Sequence, residues 1–234
     1  MTAFVKNGFV LIKSLLLSCC LLTGYSLVNA QDVDENGTFN TWYSEPEGID
    51  WLLDSFRPIY DFRPGETIAS IGAGQGVREV VFSLMADSLL VYVQDVNPYW
   101  LEPDQLSKTI RKIYDRAGRT TCTSRFIPIR GKEKETRLPK GFFDKIIVEN
   151  SLHEFTYQPE MLRSIRANLK PNGVLLIWEE TATKPDRKHK GCGMPMFMDD
   201  ALIKLVEENG FRFETKTIVN PPKGRDAVFA FRLN

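Results

Sequence analysis

The sequence predicts an α/β fold around a largely parallel sheet, and three observations carry that prediction. Segments with strand and helix patterns alternate from Thr67 to Trp178, as in repeated strand-helix-strand units. Val174–Trp178 is a near-continuous apolar run, suited to a strand buried on both faces of a parallel sheet. Ile68-Ala-Ser-Ile-Gly-Ala-Gly-Gln-Gly-Val77 closes an apolar strand on Gly72, Gly74 and Gly76, the way a chain turns into a helix around a nucleotide-like ligand.

Taken in order, Ile49, Leu52, Leu53, Phe56 and Ile59 recur at helical spacing, which predicts a helix over Gly48–Tyr60 bounded by Pro58 and Pro64. A strand at Thr67–Ile71 leads through the glycines into a helix over Gly76–Ala86, then a strand at Leu89–Gln94 and a helix from Trp100 to Ala117. A strand at Thr123–Ile129 precedes Arg130–Lys140, whose seven charged residues predict a solvated loop. Phe142–Glu149 is the next strand. Met161, Leu162, Ile165 and Leu169 give one apolar face to the helix after it, and Lys170-Pro-Asn-Gly173 ends that helix. Beyond Val174–Trp178 comes a long loop, Thr181–Pro195, and a helix marked by Leu202, Leu205 and Val206 that stops at Asn209-Gly210. Phe211–Ile218 and Asp226–Arg232, joined by Asn220-Pro-Pro-Lys-Gly224, predict a closing hairpin.

Composition excludes several classes. With 234 residues and 43% hydrophobic content the chain has enough apolar sequence for one sizeable core, so disorder is not expected. Thirty basic and thirty acidic residues leave no electrostatic footprint for nucleic acid. The first thirty residues stand apart: Lys6 and Lys13 are their only charges, an apolar run spans Leu15–Leu22, and Val28-Asn29-Ala30 precedes Gln31. This is the layout of a cleaved export signal, predicting a signal peptide at 1–30, a linker at 31–47 and a domain at 48–234, in the periplasm or secreted. The apolar run is short for a membrane span and Lys13 interrupts it, so no stable span is expected after cleavage. A second route fits as well, because Leu16-Leu-Ser-Cys19 resembles a lipoprotein box in which Cys19 is acylated. Cleavage leaves 28 basic and 30 acidic residues and only Cys122 and Cys192, whose pairing the spacing does not decide. No Cys-x-x-Cys or Cys/His cluster predicts a metal site.

In an open α/β sheet the ligand lies outside the carboxyl ends of the strands, so each candidate should follow a strand. Gly72, Gly74 and Gly76 follow the first. Asp95 follows the second, where a carboxylate can accept hydrogen bonds from ribose hydroxyls. A dinucleotide loop needs Gly-x-Gly-x-x-Gly, and the last position here is Val77, which disfavours a nicotinamide oxidoreductase. The loop suits a ligand without pyrophosphate, such as a nucleoside bearing an amino-acid tail.

These segments, with Val93-Gln-Asp-Val-Asn-Pro98, Phe143-Asp-Lys-Ile-Ile-Val-Glu-Asn-Ser-Leu-His-Glu-Phe155 and Leu169-Lys-Pro-Asn-Gly-Val-Leu-Leu-Ile177, resemble the class I S-adenosylmethionine-dependent methyltransferases in order and spacing, over about Ile49 to Leu233. The resemblance implies a three-layer Rossmann-like sandwich with a seven-stranded sheet whose last strand is antiparallel, S-adenosylmethionine as cofactor, and a small-molecule acceptor. It implies Gly72, Gly74 and Gly76 at the methionine part, Asp95 at the ribose and Asn150 beside the cofactor. Ser70 stands where the family commonly has an acid that places the cofactor's amino end; it can hydrogen-bond but carries no charge. Ile129-Arg-Gly-Lys132 occupies the region where an acid often meets the adenine.

Glu149-Asn-Ser-Leu-His-Glu154 lies where the family places groups near the transferred methyl. His153 reads either as a general base, since imidazole titrates near neutral pH, or as a helix-start residue bonded to backbone. Glu149 reads as an acceptor-orienting carboxylate or as half of an ion pair, with Glu179 and Glu180 as second-rank candidates. The basic segment Lys184–Pro195 fits a lid for an anionic acceptor or a solvated loop. A different functional class also fits: an exported, non-catalytic protein that keeps this fold and binds another nucleoside-like or apolar ligand. Export favours it, because it separates the chain from cofactor made in the cytoplasm. The sequence leaves the oligomeric state open.

Overall fold

The computed structural model describes residues 41–97, 99–219 and 225–234. The expected signal peptide, Cys19, most of the linker and the turn Asn220–Gly224 lie outside the described residues.

Seven strands form one sheet in the order β3-β2-β1-β4-β5-β7-β6. They are β1 (Thr67–Ile71), β2 (Leu90–Asp95), β3 (Arg125–Arg130), β4 (Phe143–Glu149), β5 (Leu169–Glu180), β6 (Phe211–Ile218) and β7 (Asp226–Leu233). β1 through β5 pair in parallel, and β7 runs antiparallel to both β5 and β6. The seven-stranded, mostly parallel sandwich with an antiparallel last strand is therefore as expected.

Helices α1 (Pro46–Tyr60), α2 (Val77–Phe82) and α3 (Pro103–Arg116) pack on one face, and α4 (Gln158–Asn168) and α5 (Asp199–Glu207) on the other. Alternation along the strands divides the core. Ile147, Leu176 and Val228 pack with the first helix group, while Ile146, Val148, Leu175, Ile177 and Phe229 pack with the second. Ile49, Leu52, Phe56 and Tyr60 form the buried stripe of α1, and Phe56 meets Phe82 and Trp178 in tilted and edge-on contacts. Among the described residues no helix is long and apolar enough to cross a membrane.

Boundaries differ from the expected ones for local reasons. Helix α3 starts at Pro103 instead of Trp100, because proline favours the first helical position and Asn97 Oδ1 accepts the Tyr99 N–H in a turn before it. Helix α2 stops at Phe82 as Ser83 Oγ bonds back to the Val80 carbonyl at 2.7 Å. Lys170-Pro-Asn-Gly173 follows the end of α4 and forms an irregularity at the start of β5, where the register to β4 shifts. Pro128 is accommodated because β3 is an edge strand. Arg130–Lys140 contains no helix, as expected.

From β1 the sheet grows outward through β2 and β3 on one side and from β4 onward on the other. Strand order reverses between β1 and β4, so the loops after these two strands diverge and leave a crevice at their carboxyl ends.

Candidate functional site

The crevice holds a pocket of about 300 Å³, within the range of small-ligand sites. Gly72 from the β1 loop, Gln94, Asp95, Val96 and Asn97 from the end of β2, and Ser151, Glu154 and Phe155 after β4 all line it. Trp100, Met161 and Glu133 complete much of the wall.

The glycines act in different ways. Gly72, at φ 71°, faces Ser151 so closely that a Cβ would lie 2.7 Å from its Oγ. Gly74, at φ 53°, has open space where a Cβ would project, and its N–H donates to Asp95 Oδ2 at 2.9 Å. Gly76 adopts a left-handed conformation at the start of α2 and packs toward Leu106. The loop is tied to β2 by Gly72 and Ala73 N–H donating to the Gln94 carbonyl.

Asp95 is the polar centre of the pocket wall. Oδ1 accepts the Asn97 N–H at 2.8 Å while Oδ2 accepts that of Gly74. A carboxylate offers about four acceptor sites, so these amides leave acceptor capacity for a ligand. Burial raises its proton affinity, and the three backbone amides of Asn97, Gly74 and Val96 work against that rise.

Ser70 is fully buried in β1 and donates to Glu79 Oε1 at 2.7 Å. A carboxylate thus stands beside the position where the sequence lacks one, supplied from the first turn of α2. Burial lifts the proton affinity of Glu79, against the Ser70 hydrogen bond, and its Oε2 has no hydrogen-bond partner. Glu133 in the Arg130–Lys140 loop is a pocket-wall acid that the reading of Ile129–Lys132 missed. Gly131 allows that loop to approach β2, since a Cβ there would overlap Gln94 Nε2 at 1.5 Å.

Asn150 takes a left-handed conformation at φ 49° directly after β4. Its Oδ1 accepts the Glu180 N–H at 3.3 Å and its Nδ2 lies 3.4 Å from His189 Nε2, outside the pocket lining. Glu149 is buried beneath the crevice. Tyr60 donates to its Oε1, and Arg78 lies 2.5 Å from its Oε2. The Arg78 guanidinium is stacked over Trp178 at 4.0 Å and has Tyr43, Phe56 and Phe82 around it. Burial pulls Arg78 down to about 10. Burial, then the Glu179 carboxylate, pushes Glu149 well above the usual carboxyl range.

His153 is buried, and Glu179 holds it at two points: Oε2 at 2.7 Å from Nδ1 and Oε1 accepting the backbone N–H at 3.2 Å. Burial opposes the imidazolium, but the Glu179 carboxylate, with Glu154 and Glu180 beyond, outweighs it and raises His153 above the ordinary histidine value. Glu179, ranked second in the sequence, is therefore the partner that orients His153. Glu180 is half-buried, near Arg187 and His189. The Lys184–Pro195 segment folds back through a Lys188–Pro195 bridge and brings His189 and Cys192 to His153. Cys122 and Cys192 are both free thiols. Desolvation, with Glu154 nearby, raises Cys192 above the ordinary cysteine value.

The sequence matches no protein-family model and no curated protein. Solved structures do match. A S-adenosylmethionine-dependent methyltransferase from Aquifex aeolicus is similar over 81% of this chain and 99% of its own, at 18% identity and TM-score 0.55. The 1,6-didemethyltoxoflavin-N1-methyltransferase of Burkholderia thailandensis, solved with 1,6-didemethyltoxoflavin and S-adenosylhomocysteine, is similar over 82% and 84%, at 20% identity and TM-score 0.56. A third structure with the same likeness in shape, at 14% identity, 80% and 81% coverage and TM-score 0.55, is that of a cyclase, SpnF. At these identities the likeness speaks for the fold alone, and the fold of this chain is that of the class I S-adenosylmethionine-dependent methyltransferases.

Proposed function

We propose that the protein is a S-adenosylmethionine-dependent methyltransferase acting on a small-molecule acceptor. The observation that carries this reading is that Gly72 and Asp95 line one pocket, with the Gly74 N–H fixing the Asp95 carboxylate behind them. The residues present fit the cofactor. Asp95 keeps acceptor capacity for a ribose hydroxyl, Glu133 offers an acceptor for an exocyclic amine, and Val96, Trp100, Phe155 and Met161 give apolar surface for a purine. Nothing lies within 4 Å of where a Gly74 Cβ would stand, which leaves room beside the loop for an amino-acid tail.

When bound, S-adenosylmethionine supplies an electrophilic methyl group on a sulfonium. The protein's share is mainly alignment of acceptor and methyl in a partly closed crevice. Glu154 lines the pocket on the side of the His153–Glu179 pair. With its Nδ1–H held by Glu179, His153 would take a proton from an acceptor hydroxyl or amine at Nε2, once the Cys192 thiol that faces it at 3.3 Å moves aside.

Thermal unfolding with ligands tests the reading. S-adenosylhomocysteine should raise the midpoint in a concentration-dependent manner, whereas NAD should not. Stabilisation by NAD alone would point instead to a dinucleotide protein.

A further inference from the structure

Beside the pocket, two loops distant in sequence bring three metal-ligating side chains together. His189 and Cys192 stand three residues apart on a tight turn. The His189 N–H donates to the Met194 carbonyl at 2.8 Å, and the Gly193 N–H donates back to His189 at 2.9 Å. Gly193, at φ 72°, reverses the backbone immediately after Cys192. This turn sets His189 Nδ1 3.3 Å from Cys192 Sγ. From the connection after β4, His153 Nε2 reaches the same sulfur, also at 3.3 Å. One donor atom from each residue lies within 4.8 Å of the other two.

The spacing matches a cation. Tetrahedral zinc, with bonds of about 2.3 Å to sulfur and about 2.0 Å to nitrogen, sets its sulfur and nitrogen ligands about 3.5 Å apart. His153 is also prepared as a ligand. Glu179, buried and able only to accept, keeps the proton on Nδ1 and turns the Nε2 lone pair toward the sulfur, the carboxylate–histidine–metal arrangement. Glu154 Oε1 is 3.7 Å from His153 Nε2, and Glu180 Oε2 is 3.9 Å from His189 Nε2, so the surroundings are acidic.

We propose that His153, His189 and Cys192 bind one Zn2+, with Glu154 or water in the fourth position on the acceptor side of the pocket. Binding releases the Cys192 thiol proton to solvent and forms one Zn–S and two Zn–N bonds. The Nε2 lone pair of His153 then serves the metal and is no longer a base. An acceptor that displaces the fourth ligand would be acidified by coordination and would give its proton to solvent. That last consequence rests on the methyl-transfer reading; the metal site itself does not.

Cobalt(II) added to the metal-free full-length protein is the test, because its spectrum reports both geometry and sulfur ligation. One equivalent should give intense visible absorption of tetrahedral cobalt and a near-ultraviolet thiolate charge-transfer band, both erased by one equivalent of Zn2+. His153→Ala would strand the buried Glu179, so the loop variants carry the test. Cys192→Ser should lose the charge-transfer band, and His189→Ala should bind at least about tenfold more weakly. Absence of tetrahedral absorption at millimolar cobalt, or a band that persists in Cys192→Ser, would overturn the site. S-adenosylhomocysteine binding by the metal-free protein, measured in parallel, shows whether the pocket reading stands when the metal site fails.

Discussion

Ser70 Oγ donates to Glu79 Oε1 at 2.7 Å inside the core, one layer beneath the glycine loop. The strand position without a carboxylate is thereby linked to one that arrives from the following helix, nine residues later. Glu79 holds its proton more tightly than in the unfolded chain, mainly because it is buried. In the window from its ordinary value near 4.5 upward, the unfolded state gives up a proton that the folded state keeps, so this group makes stability fall as pH rises.

Glu79→Gln should remove that slope. Denaturant midpoints taken at intervals between about pH 4.5 and 8 should show the variant gaining on the wild type as pH rises. Parallel curves would mean that Glu79 ionises alike in both states. Glu149, also raised, contributes to both proteins, whereas Asp95 interacts with Glu79 and its own small change adds to the difference.

Gly72→Ala should be destabilising by about 1–3 kcal/mol, since it combines a left-handed backbone with a clash against Ser151. Equilibrium unfolding measures this. Ser151→Gly in the same chain should recover the steric part and leave the backbone part; no recovery would place the strain elsewhere.

Tyr60→Phe removes the donor to Glu149 Oε1 in a buried site and should cost about 1–3 kcal/mol. A neutral result would show that the Arg78 contact alone satisfies Glu149.

Export through residues 1–30 rests on Lys6, Lys13, the Leu15–Leu22 run and Val28-Asn29-Ala30. Cell fractionation should place the full chain outside the cytoplasm and a chain lacking 1–30 inside it. Equal retention of both would remove the export reading.

Much of the fold was legible because its signals are local. Apolar runs, the glycine loop and prolines mark strands, turns and helix starts within a few residues, and Asp95 closes its strand. What stayed hidden depends on contacts across the fold. Glu79 looks like an ordinary first-turn helix acid until α2 packs over Ser70. Glu133 is one of several charges in a loop, and only the close approach at Gly131 brings that loop against the pocket. Cys192 and His153 are 39 residues apart, yet the turn after β5 brings them to 3.3 Å. His189 and Cys192 stand three residues apart, but with His153 so distant in sequence the pair did not stand out as a Cys/His cluster.

The central claim is that Asp95 and the glycine loop form a nucleoside site. Calorimetric titration of the domain with S-adenosylmethionine and S-adenosylhomocysteine, in the wild type and in Asp95→Ala, tests it most directly. The predicted result is one binding site whose affinity falls about 100-fold in the variant, the upper end of what loss of one hydrogen bond to a charged group costs. No binding at millimolar ligand, or equal affinity in the two proteins, would contradict it.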